Sequence, residues 1–146
     1  DVAAVRLDGS GDGDGRGVRT TTAERGDAVI RAKTLEAGDD GDLAGAHALL
    51  LESNHDPQLL AASRYPSFLK RRVGGDYGHL SNAAAAGILR AVQHPGLQCV
   101  VAAHLSAQNN HPDLVRPLLA QALGWAPERI GVASALQGSD WHAVGP

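Results

Sequence analysis

The sequence predicts an α/β domain in which short buried strands alternate with helices. The runs at 46–52 and 97–103 are apolar almost throughout and are flanked by turn-forming residues, a pattern typical of strands buried in a sheet. Helix-start signals lie between such runs, and the resulting β-α-β-α-β order predicts a layered fold. The chain is 43% hydrophobic but only 3% aromatic, so its core must be built from Ala, Leu and Val. Alanine-rich stretches also favour helix.

Each element has its own local signal. An apolar run at 28–32 predicts a first strand, and another at 129–135 predicts the last one. Asp56 followed by Pro57 starts a helix, because aspartate caps free backbone N–H groups and proline suits the first helical position. The helices are expected at 57–62, at 82–93 after the capping residue Ser81, and at 112–123 before Gly124.

Residues 1–28 are expected to form a separate, disordered segment, and residues 29–146 to form one domain. The stretch 8–17 reads DGSGDGDGRG, has no apolar periodicity and cannot bury enough surface to offset the entropy of ordering it. A calcium loop is disfavoured, since the glutamate at its twelfth position and its flanking helices are missing. Residues 2–7 alternate weakly between apolar and polar types and predict a short strand.

Charge and composition limit the kinds of partner. The net charge is −3, so a nucleic acid would have to be held by a local basic patch. The one dense patch consists of Arg64, Lys70, Arg71 and Arg72, and an ordinary solvated loop explains it equally well. The single cysteine, Cys99, excludes a disulfide framework and indicates a reducing compartment. Because no apolar stretch approaches the ~20 residues of a membrane helix, we expect a cytoplasmic protein without membrane partners.

Three short polar clusters, each with one histidine, mark the candidate site. They are ESNHD at 52–56, GHLSN at 78–82 and AHLS at 103–106, and the first and third follow apolar strands. His104 is a candidate metal ligand, with a structural histidine as the alternative. Glu52 could orient His79 as a general acid, although a helix-capping turn explains the second cluster nearly as well. A serine hydrolase is disfavoured, because a Gly-x-Ser-x-Gly elbow is absent.

The clusters lie within longer blocks that carry a family resemblance. LLLESNHDPQLL, YPSFLKRRVGGDYGHLSNAAAAGIL and VVAAHLSAQNNHP, in this order over about residues 43–142, resemble the C-terminal half of metallo-β-lactamase-fold hydrolases. They resemble the YycJ/WalJ-like group of phosphodiesterases and exonucleases in particular, and more distantly the tRNA-processing endonuclease RNase Z. The resemblance implies part of a four-layered αββα sandwich that hydrolyses phosphodiester bonds with two divalent ions, zinc or manganese.

The resemblance also implies roles for individual residues. It makes His104 a metal ligand, His79 the proton donor to the leaving group, and Glu52 the residue that orients His79. Asn54 and His55, from the same cluster as Glu52, would line the site. The substrate would be a nucleic acid or a small phosphodiester, and the basic residues at 64–72 would hold a nucleic-acid backbone.

Other features of the family are missing from these residues. The His-x-His-x-Asp-His motif does not occur in the 146 residues, and the segment 32–38 has no aspartate where the family places a bridging ligand. One imidazole cannot hold two metal ions, so we expect the chain alone to be inactive and not to retain metal stably. It would then be a truncated gene product or a degenerate homologue, with an uncovered sheet face that promotes self-association. A nucleic-acid binding module without catalysis is the alternative.

Overall fold

The computed structural model describes residues 3–7, 20–23, 30–33, 43–76, 78–134, 137–140 and 142–144. The strands are β1 (Ala3–Leu7), β2 (Thr20–Ala23), β3 (Ile30–Lys33), β4 (Ala48–Glu52), β5 (Cys99–Ala103), β6 (Ile130–Val132) and β7 (His142–Val144). The α-helices are α1 (Pro57–Ala62), α2 (Ser67–Gly74), α3 (Asn82–Val92) and α4 (Pro112–Leu123), and a 3₁₀ helix at Pro127–Arg129 precedes β6.

A parallel sheet in the order β3-β4-β5-β6 forms the centre of the fold. Leu50 of β4 pairs with Ala32 of β3 on one side and with Val101 of β5 on the other. Every residue of β4 and β5 is buried, as expected for central strands of a parallel sheet that is covered on both faces. The α/β prediction is therefore confirmed.

The two faces of this sheet pack against different layers, because side chains alternate along each strand. One face joins the main core with α3 and α4, through Leu49, Leu51, Val100 and Ala102. The other face forms a smaller cluster with Val144 of β7, through Ala48, Leu50, Cys99, Val101 and Ala103. β7 belongs to a second, antiparallel sheet in the order β2-β1-β7. A helix layer and two sheet layers are thus present, consistent with part of an α/β sandwich.

The predicted starts of α1 and α3 are confirmed by their caps, and α3 ends at Val92, one residue before the predicted end. Oδ1 of Asp56 accepts hydrogen bonds from the N–H groups of Gln58 and Leu59, both at 2.9 Å, and starts α1. Oγ of Ser81 accepts one from the Ala84 N–H at 3.1 Å and starts α3. Gly124 ends α4 in the left-handed conformation, with φ 68°, which glycine adopts without a steric penalty. None of the described helices is long and apolar enough to cross a membrane.

The helix α2 lies in the segment 64–76, for which the sequence pattern predicts no helix. Pro66 occupies its N-cap position without a side-chain hydrogen bond, and none of its residues is buried. A helix that has neither a capping side chain nor a buried apolar stripe lacks the signals on which a sequence-based prediction depends.

The amino-terminal segment contains more strand than its composition indicates. The weak alternation at 2–7 corresponds to β1, and β2 lies within the segment 1–28 that the sequence predicts to be disordered. β1 pairs with β2 along one edge and with β7 along the other. β7 is far from β1 in sequence, so their pairing leaves no local signal. The Gly/Asp-rich run at 8–17 lies outside the described residues, and the domain boundary at residue 28 stays a prediction.

Truncating Leu119 of α4 to alanine should lower the free energy of unfolding by about 2–5 kcal/mol, because its fully buried side chain would leave a cavity in the main core. Leu114 lies on the same helix but is 42% exposed, so Leu114→Ala should cost only about 0.5 kcal/mol. Urea denaturation followed by circular dichroism measures both changes. Equal losses in the two variants would contradict the core-facing side assigned to α4.

Candidate functional site

The three polar clusters meet at the carboxyl end of the parallel sheet. Glu52 is the last residue of β4 and pairs in register with Ala103, the last residue of β5. His104 follows Ala103 directly, so Glu52 and His104 start from neighbouring strand ends. His79 reaches the same place from the connection between α2 and α3. The topology thereby brings together three residues that are far apart in sequence.

Backbone hydrogen bonds hold the segment after β4 between the other two clusters. On one side, the Asn54 N–H donates to the Leu80 carbonyl at 2.8 Å, and the Asn82 N–H donates to the His55 carbonyl at 2.9 Å. On the other side, the Ser106 N–H donates to the Asn54 carbonyl at 2.7 Å. These bonds join the clusters edge to edge, which sets where their side chains emerge.

A single carboxylate oxygen holds both histidines of the site. Oε1 of Glu52 accepts hydrogen bonds from Nδ1 of His79 at 2.8 Å and from Nδ1 of His104 at 2.9 Å. The Leu80 N–H donates to the second oxygen, Oε2, at 3.4 Å. The Glu52 side chain is 3% exposed, whereas those of His79 and His104 are 43% and 46% exposed. The carboxylate therefore forms the base of the site, and the two rings form its accessible part.

These hydrogen bonds determine which ring nitrogens carry protons. An ionised carboxylate only accepts hydrogen bonds, so Nδ1 is the donor in both rings. In a neutral ring Nε2 then keeps its lone pair, and it lies on the side of the ring away from Glu52. The ring centroids are 4.9 Å apart, with an angle of 73° between the ring planes. Because both side chains are partly exposed, each neutral ring offers an Nε2 lone pair on its side away from Glu52.

The backbone of His104 adopts the left-handed region, with φ 59°, and is the one non-glycine residue to do so among the described residues. This conformation costs a residue with a β-carbon roughly 1–2 kcal/mol. The Asn54 side-chain amide donates to the His104 carbonyl at 2.9 Å and supports the turn. The turn redirects the chain at the end of β5 while the His104 ring stays bonded to Glu52.

Burial and hydrogen bonding act in opposite directions on the charges of the site. Burial raises the pKa of the Glu52 carboxyl, but the hydrogen bonds from His104, His79 and the Leu80 N–H outweigh it, so that pKa lies below its usual value. The hydrogen bond to Glu52 raises the pKa of His104, against a smaller opposing effect of burial. Burial lowers the pKa of the His55 imidazole, and nearby His79 adds to this effect.

Asn54 and His55, the two residues expected to line the site, are almost completely buried. They are 6% and 2% exposed. Nδ1 of His55 lies 3.3 Å from Oδ1 of Asn54, and the Asn54 amide donates to the His104 carbonyl. Asn54 therefore contacts the backbone of His104, and His55 contacts Asn54.

A buried amide pair beneath the site was not identifiable from the sequence. Nδ2 of Asn82 donates to Oδ1 of Asn110 at 2.8 Å, and Nδ2 of Asn110 donates to Oδ1 of Asn82 at 2.9 Å. Nδ2 of Asn110 also donates to the Ser53 carbonyl at 2.7 Å. The pair thereby joins the starts of α3 and α4 to the end of β4. Asparagine near a helix start is too common to single out such a pair.

The basic residues fall into two groups. Arg64, Arg71 and Arg72 are exposed, whereas Nζ of Lys70 donates to the Ala61 carbonyl at 2.6 Å. Ala61 lies in the last turn of α1, where backbone carbonyls lack helical partners. Lys70 therefore caps the preceding helix, and its charge is directed toward α1.

The donor set of the site fits a divalent metal ion. One ligand atom each from Glu52, His79 and His104 lie within 4.8 Å of one another. Carboxylate oxygen and imidazole nitrogen are ligands of zinc and of other divalent first-row metals. Metal-bound histidines usually donate their other ring N–H to a carboxylate, which orients the ring. The pairing of each histidine with Glu52 has this form.

Glu52→Gln should lower the pKa of His104, because the hydrogen bond to the ionised carboxylate is the main cause of its upward shift. NMR titration of the imidazole resonances, in the presence of a chelator, measures the pKa of His104 in both proteins. The hydrogen bond that raises the pKa of His104 contributes its full stability to the fold below pH 6.5, the ordinary pKa of histidine. This contribution is lost as the pH rises through the raised pKa. The hydrogen bonds that lower the pKa of Glu52 contribute their full stability to the fold above pH 4.5, the ordinary pKa of glutamate. This contribution is lost as the pH falls through the lowered pKa.

The wild-type advantage over Glu52→Gln should therefore be largest between these two pH values. Glu128→Gln is the matched control, because Glu128 is exposed in the 3₁₀ helix and should leave the His104 titration unchanged. An unshifted His104 titration in Glu52→Gln would contradict the assigned hydrogen bond.

Comparison with known proteins identifies relatives over about two thirds of the chain. No protein-family model matches the chain, and no solved structure matches it. Exodeoxyribonuclease YycJ of Bacillus anthracis is 36% identical over 100 residues, which are 68% of this chain and 38% of that protein. Exodeoxyribonuclease WalJ of Streptococcus pneumoniae is 32% identical over 92 residues, which are 63% of this chain and 34% of that protein. The chain spans little more than a third of these relatives, and over that part it belongs to the YycJ/WalJ-like group.

Proposed function

We propose that this chain contributes to a metal-dependent site that hydrolyses phosphodiester bonds, with Glu52, His79 and His104 as its functional residues. The observation that carries the proposal is the shared acceptor: one buried carboxylate oxygen holds two exposed histidines through their Nδ1 atoms. The relatives are named exodeoxyribonucleases, which supports DNA as the substrate. The helix layer and the two sheet layers support assignment to the αββα sandwich of the metallo-β-lactamase fold.

His104 is proposed as the metal ligand, through Nε2. Its Nδ1–H is held by Glu52, which fixes the ring and leaves the Nε2 lone pair accessible. A metal at Nε2 competes with protonation of that atom, so affinity should fall as the pH is lowered, and the hydrogen bond to Glu52, which raises the pKa of His104, strengthens this competition. Zinc and manganese both accept such a nitrogen ligand.

His79 is proposed as the proton donor to the leaving oxygen. To donate from Nε2, the ring must enter the step doubly protonated, with its Nδ1–H still bonded to Glu52. Glu52 then keeps the ring oriented while the proton leaves. Divalent ions, when bound, supply activation of water and neutralise charge on the phosphoryl group. Asn54 supports the backbone of His104, and His55 contacts Asn54.

The chain by itself is proposed to be inactive, since the His-x-His-x-Asp-His motif does not occur in the 146 residues. His104 is the one metal ligand proposed among the described residues, and a dinuclear centre needs further ligands. A single buried cysteine supports the expected reducing, cytoplasmic setting. The alternative is a module that binds nucleic acid without hydrolysing it.

Zinc titration by calorimetry tests the ligand assignment. The wild-type chain should bind one ion weakly, and His104→Ala should abolish binding, because it removes the proposed ligand nitrogen. Glu52→Gln should weaken binding about 10- to 100-fold, the usual effect of losing the carboxylate that orients a ligand. His79→Ala is the matched control: it removes an equally exposed ring from the same carboxylate and should still bind zinc.

Two results would contradict this assignment. One is unchanged zinc binding by His104→Ala. The other is a tightly held pair of ions in the wild-type chain, which would show that the remaining ligands are also present.

Incubation of labelled single-stranded DNA with the chain and manganese or zinc should release no nucleotides. The reason is that His79 is proposed as a proton donor and His104 as one metal ligand, and no second metal position is proposed among the described residues. Release that is abolished by His79→Ala would disprove inactivity while supporting the role of His79.

A further inference from the structure

We propose that the exposed face of α2, formed by Phe68, Arg71 and Arg72, binds single-stranded nucleic acid, with Phe68 stacking on a base. This inference deepens the proposed function, on which the choice of a nucleic acid rests. The inference rests on three observations: an exposed aromatic ring, two guanidinium groups beside it, and the direct connection of α2 to His79.

The helical periodicity places these three side chains together. Residues three and four positions apart share one face of a helix, so Arg71 and Arg72 both neighbour Phe68. All three are exposed, whereas Leu69, Lys70 and Val73 are partly buried on the opposite side. α2 is therefore divided into a face that packs and a face that combines one aromatic ring with two positive charges.

Phe68 is unusual in this chain. It is the single phenylalanine of the sequence, and it is 65% exposed, more than Leu59 at 39% or Leu114 at 42%. An aromatic ring left in water forgoes the free energy of burial, and its exposed flat face offers a surface on which a base can stack. A flat ring between two cations matches the chemistry of single-strand recognition, where bases stack on aromatic side chains and phosphates meet positive charges.

The charges on this face are available to a ligand. Within the described part of the chain, no ion pair joins Arg71 or Arg72 to an acidic side chain. Lys70 differs, because its ammonium group is bonded to the Ala61 carbonyl. The positive charges of this face are therefore those of Arg71 and Arg72, which lie on either side of Phe68. Lys70, although part of the basic patch in the sequence, is not among them.

The helix that carries this face is joined to the proposed site through the chain. The His79 N–H donates to the Val73 carbonyl in the last turn of α2 at 2.8 Å, so the helix leads directly into His79. Phe68 precedes Val73 by five residues, about 7.5 Å along the helix axis. This is on the order of two nucleotide spacings in a DNA strand. The proposal therefore has the bound strand continue from this face toward His79.

Single strands are favoured over duplexes by this surface. A ring can stack only on a base whose face is free, and bases within a duplex are already stacked on each other. The two arginines alone would attract either form through its phosphates. Discrimination between the two forms is therefore assigned to Phe68.

Fluorescence anisotropy of a labelled oligothymidylate, with a chelator and at low salt, tests the face without hydrolysis. Phe68→Leu should weaken binding about 10- to 100-fold, and Phe68→Trp should restore it. Arg71→Gln with Arg72→Gln should weaken binding and lower its salt dependence by the share of two phosphate contacts. Leu114→Ala, which removes another exposed apolar side chain, should bind as the wild type does.

Wild-type affinity in Phe68→Leu, or equal losses of single-strand and duplex binding in that variant, would overturn the stacking role. So would a wild-type chain that binds no oligonucleotide while Phe68→Leu changes its sedimentation, because the face would then contact protein. These results are separable from the proposed function, because the assay needs no metal and no cleavage. Failure of zinc binding at His104 would leave the α2 face standing, and an inert Phe68 would leave the metal assignment standing.

Discussion

Placing an ionised carboxylate at the end of a fully buried strand costs solvation free energy, and Glu52 offsets this cost through hydrogen bonds. Two imidazole N–H groups and one backbone N–H point at its two oxygens. The carboxylate thereby selects the tautomer of both rings and directs each Nε2 outward. Removing it would release His79 and His104 together, so the two histidines act as one unit that depends on a single anion.

The geometry around Glu52 is maintained by the backbone and by amides rather than by further charges. Residues 53–56 are bonded on one side to 80–82 and on the other to 103–109. Asn54 supports the left-handed turn at His104, and the Asn82–Asn110 pair joins two helix starts to the end of β4. Buried amides that hydrogen-bond to each other can fix these segments without the desolvation cost of a buried ion pair. The left-handed conformation of His104 is therefore held by the hydrogen bonds of its neighbours.

The helix α2 contrasts with this rigid centre. It has no buried residue, and it is attached through Lys70 to α1 and through Val73 to the turn before His79. An element of this kind contributes little to the core, and its side chains can be assigned to binding without a conflict with packing. The inner part of the site thus carries the proposed proton and metal chemistry, and the proposed contact with the substrate strand lies on the outer helix.

Local patterns were sufficient for much of the fold. The strands at 48–52 and 99–103 followed from apolar runs, and the caps of α1 and α3 followed from Asp56 and Ser81, because both signals act within a few residues. The candidate residues Glu52, His79 and His104 could also be named from their clusters. Their shared oxygen, the turn at His104, the Asn82–Asn110 pair and the exposed face of α2 depend on contacts between segments that are distant in sequence. Such contacts form only when parallel strands align their carboxyl ends, and no local periodicity encodes which side chains then meet.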